Sequence, residues 1–173
     1  MTDETQKEQF LTVLEENIRI VQKIAGVYTR NARDREDLLN DITLELWKSF
    51  RKFKGNSRVS TWMYRVALNT ALNFQRKVTR DKVFSSLDDL KVEPVGWLNE
   101  DDNSDKSAVL NRCIEELDDL NKAIILLYLD GNSHKEISMI TGISTTNVGT
   151  RIGRIKEQLK ELVIKKSDYY GLK

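Results

Sequence analysis

Few groups in this 173-residue chain could carry bond-making chemistry. The one histidine, His134, and the one cysteine, Cys113, stand at no metal-ligand spacing. Asp37, Asp41 and Glu45 recur every four residues, which places three carboxylates on one stripe of a helix. They could be imagined as a metal cluster, but without a histidine partner such a stripe is more often solvated charge. Its other use is as a docking face for a basic partner, with Leu44 and Trp47 as apolar anchors. No catalytic residues, metal or cofactor are expected. His134 reads as a surface residue and Cys113 as core filler.

Two other groups suit nucleic acid. On a helix, Trp62, Arg65, Asn69, Asn73 and Arg76 fall within about 80° of arc. Bases of unpaired strands stack on aromatic rings and are tracked by basic side chains, and Asn can bond the edge of a flipped base. The alternative is that Trp62 turns inward and the arginines are ordinary surface charges. Further on, Val148, Ile152, Ile155, Leu159 and Leu162 also share about 80° of arc, a buried face. Thr146, Asn147, Thr150 and Arg154 lie opposite, with Arg151 on the edge. A helix with small polar and Arg residues in its N-terminal half can enter the major groove, where Thr and Asn meet base edges and Arg meets guanine or phosphate. Its alternative is a helical hairpin with a solvated polar face.

The elements that must position these residues read as helices. Phe10, Leu14, Ile18, Val21, Ile24, Ala25 and Tyr28 predict one amphipathic helix ending near Asn31. A second is predicted from an N-cap at Asp34 to about Lys52, with Leu39, Ile42, Leu46 and Phe50 buried. Lys54-Gly55-Asn56-Ser57 reads as a loop, and a third helix runs from about Ser60 to Val78. Residues 81–108 break the pattern: they hold the only proline, Pro94, the run Glu100-Asp101-Asp102 and an isolated Trp97. They read as an extended linker. Apolar periodicity resumes with Val109, Cys113, Ile114 and Leu117, then a run from Ala123 to Leu129. Ser133 to Glu136 fits a capping box, Gly142 supplies a turn, and the last helix runs from near Ser144 to about Lys165. Small Ser138 lets the two helices flanking that turn approach closely. The fold class is all-α: two small helical domains, 1–80 and 109–173, joined by a flexible acidic linker, the second containing a helix-turn-helix.

A net charge of +1 conceals a strong division. Residues 51–80 carry +8 and 149–173 carry +4, whereas 1–50 carry −3, 81–108 carry −5 and 109–148 carry −3. Two basic blocks separated by acidic sequence suggest a polyanion touched at two places. A lone cysteine does not imply an oxidising compartment. Met1 to Gln9 shows no apolar signal-peptide core, and no apolar run nears the ~18 residues of a membrane span. A soluble, cytoplasmic protein without membrane insertion is expected.

Together these stretches resemble a known family. DREDLLNDITLELWKSFRKFKGNSRVSTWMYRVALNTALNFQRK is similar to region 2 of bacterial RNA polymerase sigma factors. IEELDDLNKAIILLYLDGNSHKEISMITGISTTNVGTRIGRIKEQLKEL is similar to region 4. Two regions, a short linker and nothing more resemble the compact extracytoplasmic-function (ECF) group of the sigma-70 family, over residues 10 to 165. The resemblance implies a sigma factor that binds core RNA polymerase through its largest subunits, recognises and melts promoter DNA, and directs transcription initiation. It admits an anti-sigma factor as a further partner. Asp37, Asp41, Leu44, Glu45 and Trp47 would then dock on the clamp coiled coil. The loop Phe53 to Val59, with Phe53, Lys54, Asn56 and Arg58, would hold a flipped base of the −10 element. Trp62, Arg65, Asn69, Asn73 and Arg76 would form the −10 recognition and melting surface. Ser144, Thr146, Asn147, Thr150, Arg151 and Arg154 would serve the −35 helix, and the acidic linker would thread toward the RNA exit path.

This chain departs from the family pattern in places. Leu-Asp replaces the usual Leu-Pro at Leu117-Asp118, and Gly149 stands where Lys or Arg is common. Gly149 and Gly153 each cost ~1 kcal/mol of helix propensity relative to Ala, and either allow close approach to DNA or weaken the contact. A transcriptional regulator with one helix-turn-helix would explain residues 133 to 160 but not the stripe at Trp62. A nucleic-acid enzyme lacks its catalytic groups.

Overall fold

Periodicity from Phe10 to Tyr28 predicts one helix, but the computed structural model has two. α1 spans Asp3–Glu16 and α2 spans Ile18–Tyr28. The break is Asn17, whose Nδ2 donates to the Val13 carbonyl at 2.9 Å while its backbone N–H turns back to Leu14. A short amide side chain that bonds nearby backbone competes with the helix ladder. The next start also differs. α3, Ala32–Phe50, is capped by Asn31 and not by Asp34. Asn31 Oδ1 accepts from the Asp34 N–H at 2.8 Å, and Asn31 Nδ2 donates to the Asp34 carboxylate at 2.8 Å. Asp34 is therefore the third helical residue, where its charge meets the positive end of the helix dipole.

The structure describes residues 3–84 and 105–170, in two units with separate cores. In the first, α2, α3 and α4 (Val59–Phe84) pack pairwise. Val21, Ile24 and Ala25 of α2, Leu38, Ile42 and Leu46 of α3, and Ala67 and Ala71 of α4 are fully buried. Each large aliphatic among them contributes roughly 1.5–3 kcal/mol of burial. The buried face of α3 keeps the expected Ile42 and Leu46, but Leu38 takes the place of Leu39, and Leu39 and Phe50 are half-buried. Gln75 Nε2 donates to the carbonyl of Tyr28, which satisfies an orphan acceptor at the end of α2.

α4 runs past the expected end at Val78 to Phe84, and α5 (Asp105–Glu115) begins before residue 109. Residues 81–84 and 105–108 are therefore helical and not extended. The remainder of the expected linker lies outside the described residues. In the second unit α5, α6 (Asp119–Leu129) and α7 (His134–Thr141) all pack on α8 (Thr145–Tyr170). Val109, Cys113, Ile114, Ile137, Val148, Ile152 and Ile155 form much of this core. Burial pushes the Cys113 thiol pKa up, opposed by the Lys166 cation.

The turn into α8 is closed on every side. The expected capping box is present: Ser133 Oγ accepts from the Glu136 N–H at 3.2 Å, and Glu136 Oε2 accepts from the Ser133 N–H at 2.8 Å. Gly142 ends α7 at φ 79°, a left-handed value that glycine tolerates. Ser138 Oγ then donates to the Ile143 carbonyl at 2.6 Å, tying the turn to α7. Ser144 Oγ caps α8 by accepting from the Asn147 N–H at 3.2 Å.

Candidate nucleic-acid interface

The α4 stripe is displayed outward. Arg65, Asn69, Asn73 and Arg76 are exposed. Trp62 does not turn fully inward; it is half-buried. Its ring stacks on Phe53 with centroids 4.9 Å apart and meets Phe50 at 6.1 Å. Phe53, expected among the DNA-facing loop residues, is itself half-buried and supports the indole. Gly55 at φ 71° turns the loop, and Lys54, Asn56 and Arg58 are exposed on it. The loop and stripe therefore make one basic surface with an aromatic at its centre, a combination suited to an unpaired strand.

On α3, Asp37, Asp41 and Glu45 are exposed, and Glu45 pairs with Lys48 at 2.7 Å. Leu44 is 49% exposed beside them, whereas Trp47 is half-buried with its ring 5.1 Å from Phe10. Phe10 also meets Phe50 at 5.5 Å. Trp47, Phe10, Phe50, Trp62 and Phe53 thus form a continuous aromatic chain from the acidic stripe to the basic one. Phe10 on α1 completes it, far away in sequence from the residues it joins. Among the described residues no group of three or more His, Cys, Asp or Glu side chains is placed to hold a metal ion.

On α8, Thr146, Asn147, Thr150 and Arg154 are exposed and Arg151 is half-buried. Thr150 Oγ1 donates to its own helix at the Thr146 carbonyl, 3.1 Å away. Arg151 Nη1 donates to Asn121 Oδ1 on α6 at 3.2 Å. A Cβ added to Gly149 would lie 3.6 Å from the exposed ring of His134, so this glycine faces α7 and not open groove. Gly153 faces open space. The second unit also holds an apolar groove of about 340 Å³ between α5, α6 and α8. Leu110, Ile125, Leu129, Leu159, Val163 and Ile164 line it. At its edge Lys156 donates to the Tyr128 hydroxyl at 2.7 Å and lies 4.3 Å from the centre of that ring. Neither the groove nor Asn121 carries a sequence signal, because each depends on which helices meet.

The described residues thus form two all-helical units, one with a basic aromatic stripe and the other with a helix-turn-helix, features suited to a nucleic-acid-binding protein. Comparison with known proteins gives the family. Residues 13–81 match the model for Sigma-70 region 2, and residues 107–159 match that for Sigma-70, region 4. The ECF RNA polymerase sigma-E factor of Escherichia coli K12 is 30% identical over 159 residues, covering 84% of this chain and 83% of that protein. The ECF RNA polymerase sigma-E factor of Haemophilus influenzae is 27% identical over 160 residues, covering 84% of each. Two solved structures share the fold. The sigma factor RpoE of Bartonella quintana, in complex with the anti-sigma factor NepR, has a TM-score of 0.68 at 21% identity, covering 91% of this chain and 95% of that one. CnrH, in complex with the cytosolic domain of CnrY, has a TM-score of 0.65 at 18% identity, covering 92% and 90%. The chain belongs to the ECF group of the sigma-70 family. It is a sigma factor, a non-enzymatic initiation factor that works with RNA polymerase in promoter recognition. No described helix is long and apolar enough to cross a membrane.

Proposed function

We propose that this sigma factor divides initiation among three surfaces. The exposed α3 stripe of Asp37, Asp41 and Glu45, with Leu44 and Trp47, docks on the largest subunits of core polymerase. The basic surface of Phe53, Lys54, Asn56, Arg58, Trp62, Arg65, Asn69, Asn73 and Arg76 takes the −10 element once its strands part. The N-terminal half of α8, with Ser144, Thr146, Asn147, Thr150, Arg151 and Arg154, reads the −35 element as duplex. The factor works in the cytoplasm, beside the polymerase it serves. Its domains are those expected near 1–80 and 109–173, their limits widened to the ends of α4 and the start of α5. An anti-sigma factor is a further partner, as for the Bartonella quintana relative, and the apolar groove of the second unit offers such a partner a surface.

The observation that carries this reading is the outward display of Arg65, Asn69, Asn73 and Arg76 beside a half-exposed Trp62, in a segment of +8 charge without one carboxylate. Duplex bases cannot reach across such a surface, but extruded ones can. Holoenzyme carrying Asn69→Ala tests it on a native promoter and on one pre-melted across the −10 element. If Asn69 reads a flipped base, the variant stays defective on the pre-melted template and loses discrimination at one position. Wild-type discrimination on both templates would remove Asn69 from base reading.

A further inference from the structure

The Arg151–Asn121 bond lies in a polar niche of about 340 Å³ between α6 and α8. Asn147, Thr150, Arg154 and Gln158 complete its polar lining, and no carboxylate lines it. Asn121 is itself held. Its backbone N–H donates to Asp118 Oδ1 at 3.0 Å, and its Nδ2 donates to Asp118 Oδ2 at 2.5 Å. The amide oxygen is therefore the end left facing Arg151. A neutral oxygen orients a guanidinium without cancelling its charge, as a carboxylate would.

We propose that Asn121 is a positioning residue that holds Arg151 as a clamp for a DNA phosphate, leaving base reading to the exposed face of α8. This rests on the reading of α8 as the groove-entering helix. Arg151 sits at the edge of the polar face, and the edge of a helix lying in the major groove faces the rim where the phosphates run. One guanidinium nitrogen is committed to Asn121, which restricts the paired approach that guanine requires. A phosphate accepts from any side. The residues lining the niche then leave a site of net positive charge for a single phosphate oxyanion, supplied by the DNA backbone.

The test measures duplex promoter binding by holoenzyme as a function of salt, for Asn121→Ala, Arg151→Ala, the double variant and Arg154→Ala. Asn121→Ala keeps the α6 cap, because the capping bond to Asp118 comes from the backbone N–H. Arg151→Ala should weaken binding equally on all −35 sequences and reduce the salt slope by about one. Asn121→Ala should weaken it about three- to tenfold, the scale of one lost hydrogen bond, without altering base preference. Because Asn121 acts through Arg151, the double variant should bind no worse than Arg151→Ala alone. An additive double variant, or an Asn121→Ala without effect while Arg151→Ala is impaired, overturns the positioning role and leaves the reading of α8 intact. If neither Arg151→Ala nor Arg154→Ala changes duplex binding, that reading fails and this inference fails with it.

Discussion

Replacing Trp62 by Ala has two consequences that can be measured apart. The ring touches Phe53 at 4.9 Å and Phe50 at 6.1 Å. Each such aromatic pair is worth about 0.5–1.5 kcal/mol beyond its burial, so the variant should lose roughly 1–3 kcal/mol of stability from these pairs. Urea unfolding of the free protein measures that loss. A base stacked on the exposed part of the ring in the open promoter is worth a further ~1–3 kcal/mol, roughly thirtyfold in the opening equilibrium at the middle of that range. Permanganate reactivity of the −10 strand, at a temperature where the variant is folded, measures this second term. Closed-complex affinity should be unchanged, and a template pre-melted across the −10 element should recover most of the lost transcription. Loss of stability with wild-type strand opening would refute the stacking role and leave Trp62 as a packing residue only.

Other variants probe the remaining surfaces. Asp41→Lys with Glu45→Lys should weaken association with core polymerase, most clearly at low salt, with unchanged helicity by circular dichroism. Little stability is at stake, since the Glu45–Lys48 pair is exposed. Gly153→Ala, whose new Cβ meets nothing within 4 Å, should stabilise α8 by up to ~1 kcal/mol, whereas Gly142→Ala at φ 79° should destabilise; thermal unfolding gives both signs. Burial raises the folded-state pKa of Cys113, so the folded chain holds that proton more tightly than the unfolded one. Its contribution is complete below the ordinary thiol pKa and is lost as pH rises through the folded one, so Cys113→Val should show a shallower alkaline loss of stability than wild type.

The helix-turn-helix was legible almost whole, because each of its parts has a local cause. Ser133, Glu136, Gly142 and Ser144 mark ends through bonds spanning three or four residues, and Val148 to Leu159 mark a face through spacing alone. The first unit was less so. Asn17 lies inside a correct apolar period, and only its side-chain bond to Val13 breaks the helix. Asn31 and Asp34 are both good caps at that spacing, and the backbone conformation chooses between them. Tertiary contacts had no sequence signature. Phe10 bridges Trp47 to Phe50, Asn121 holds Arg151, and the apolar groove needs three helices brought together. The surface stripes were visible as charge and period, but packing alone decided that Trp62 stays half-exposed.

In the proposed division of labour, the two units read different promoter elements. Run-off transcription with core polymerase on two template libraries, one randomised at −10 and one at −35, separates the two readings. Wild-type protein should select a motif in each library. Asn69→Ala should relax selection only in the −10 library, and Arg154→Ala should weaken or relax it only in the −35 library. Core polymerase producing the same transcripts unaided, or one variant relaxing both libraries equally, would contradict that division.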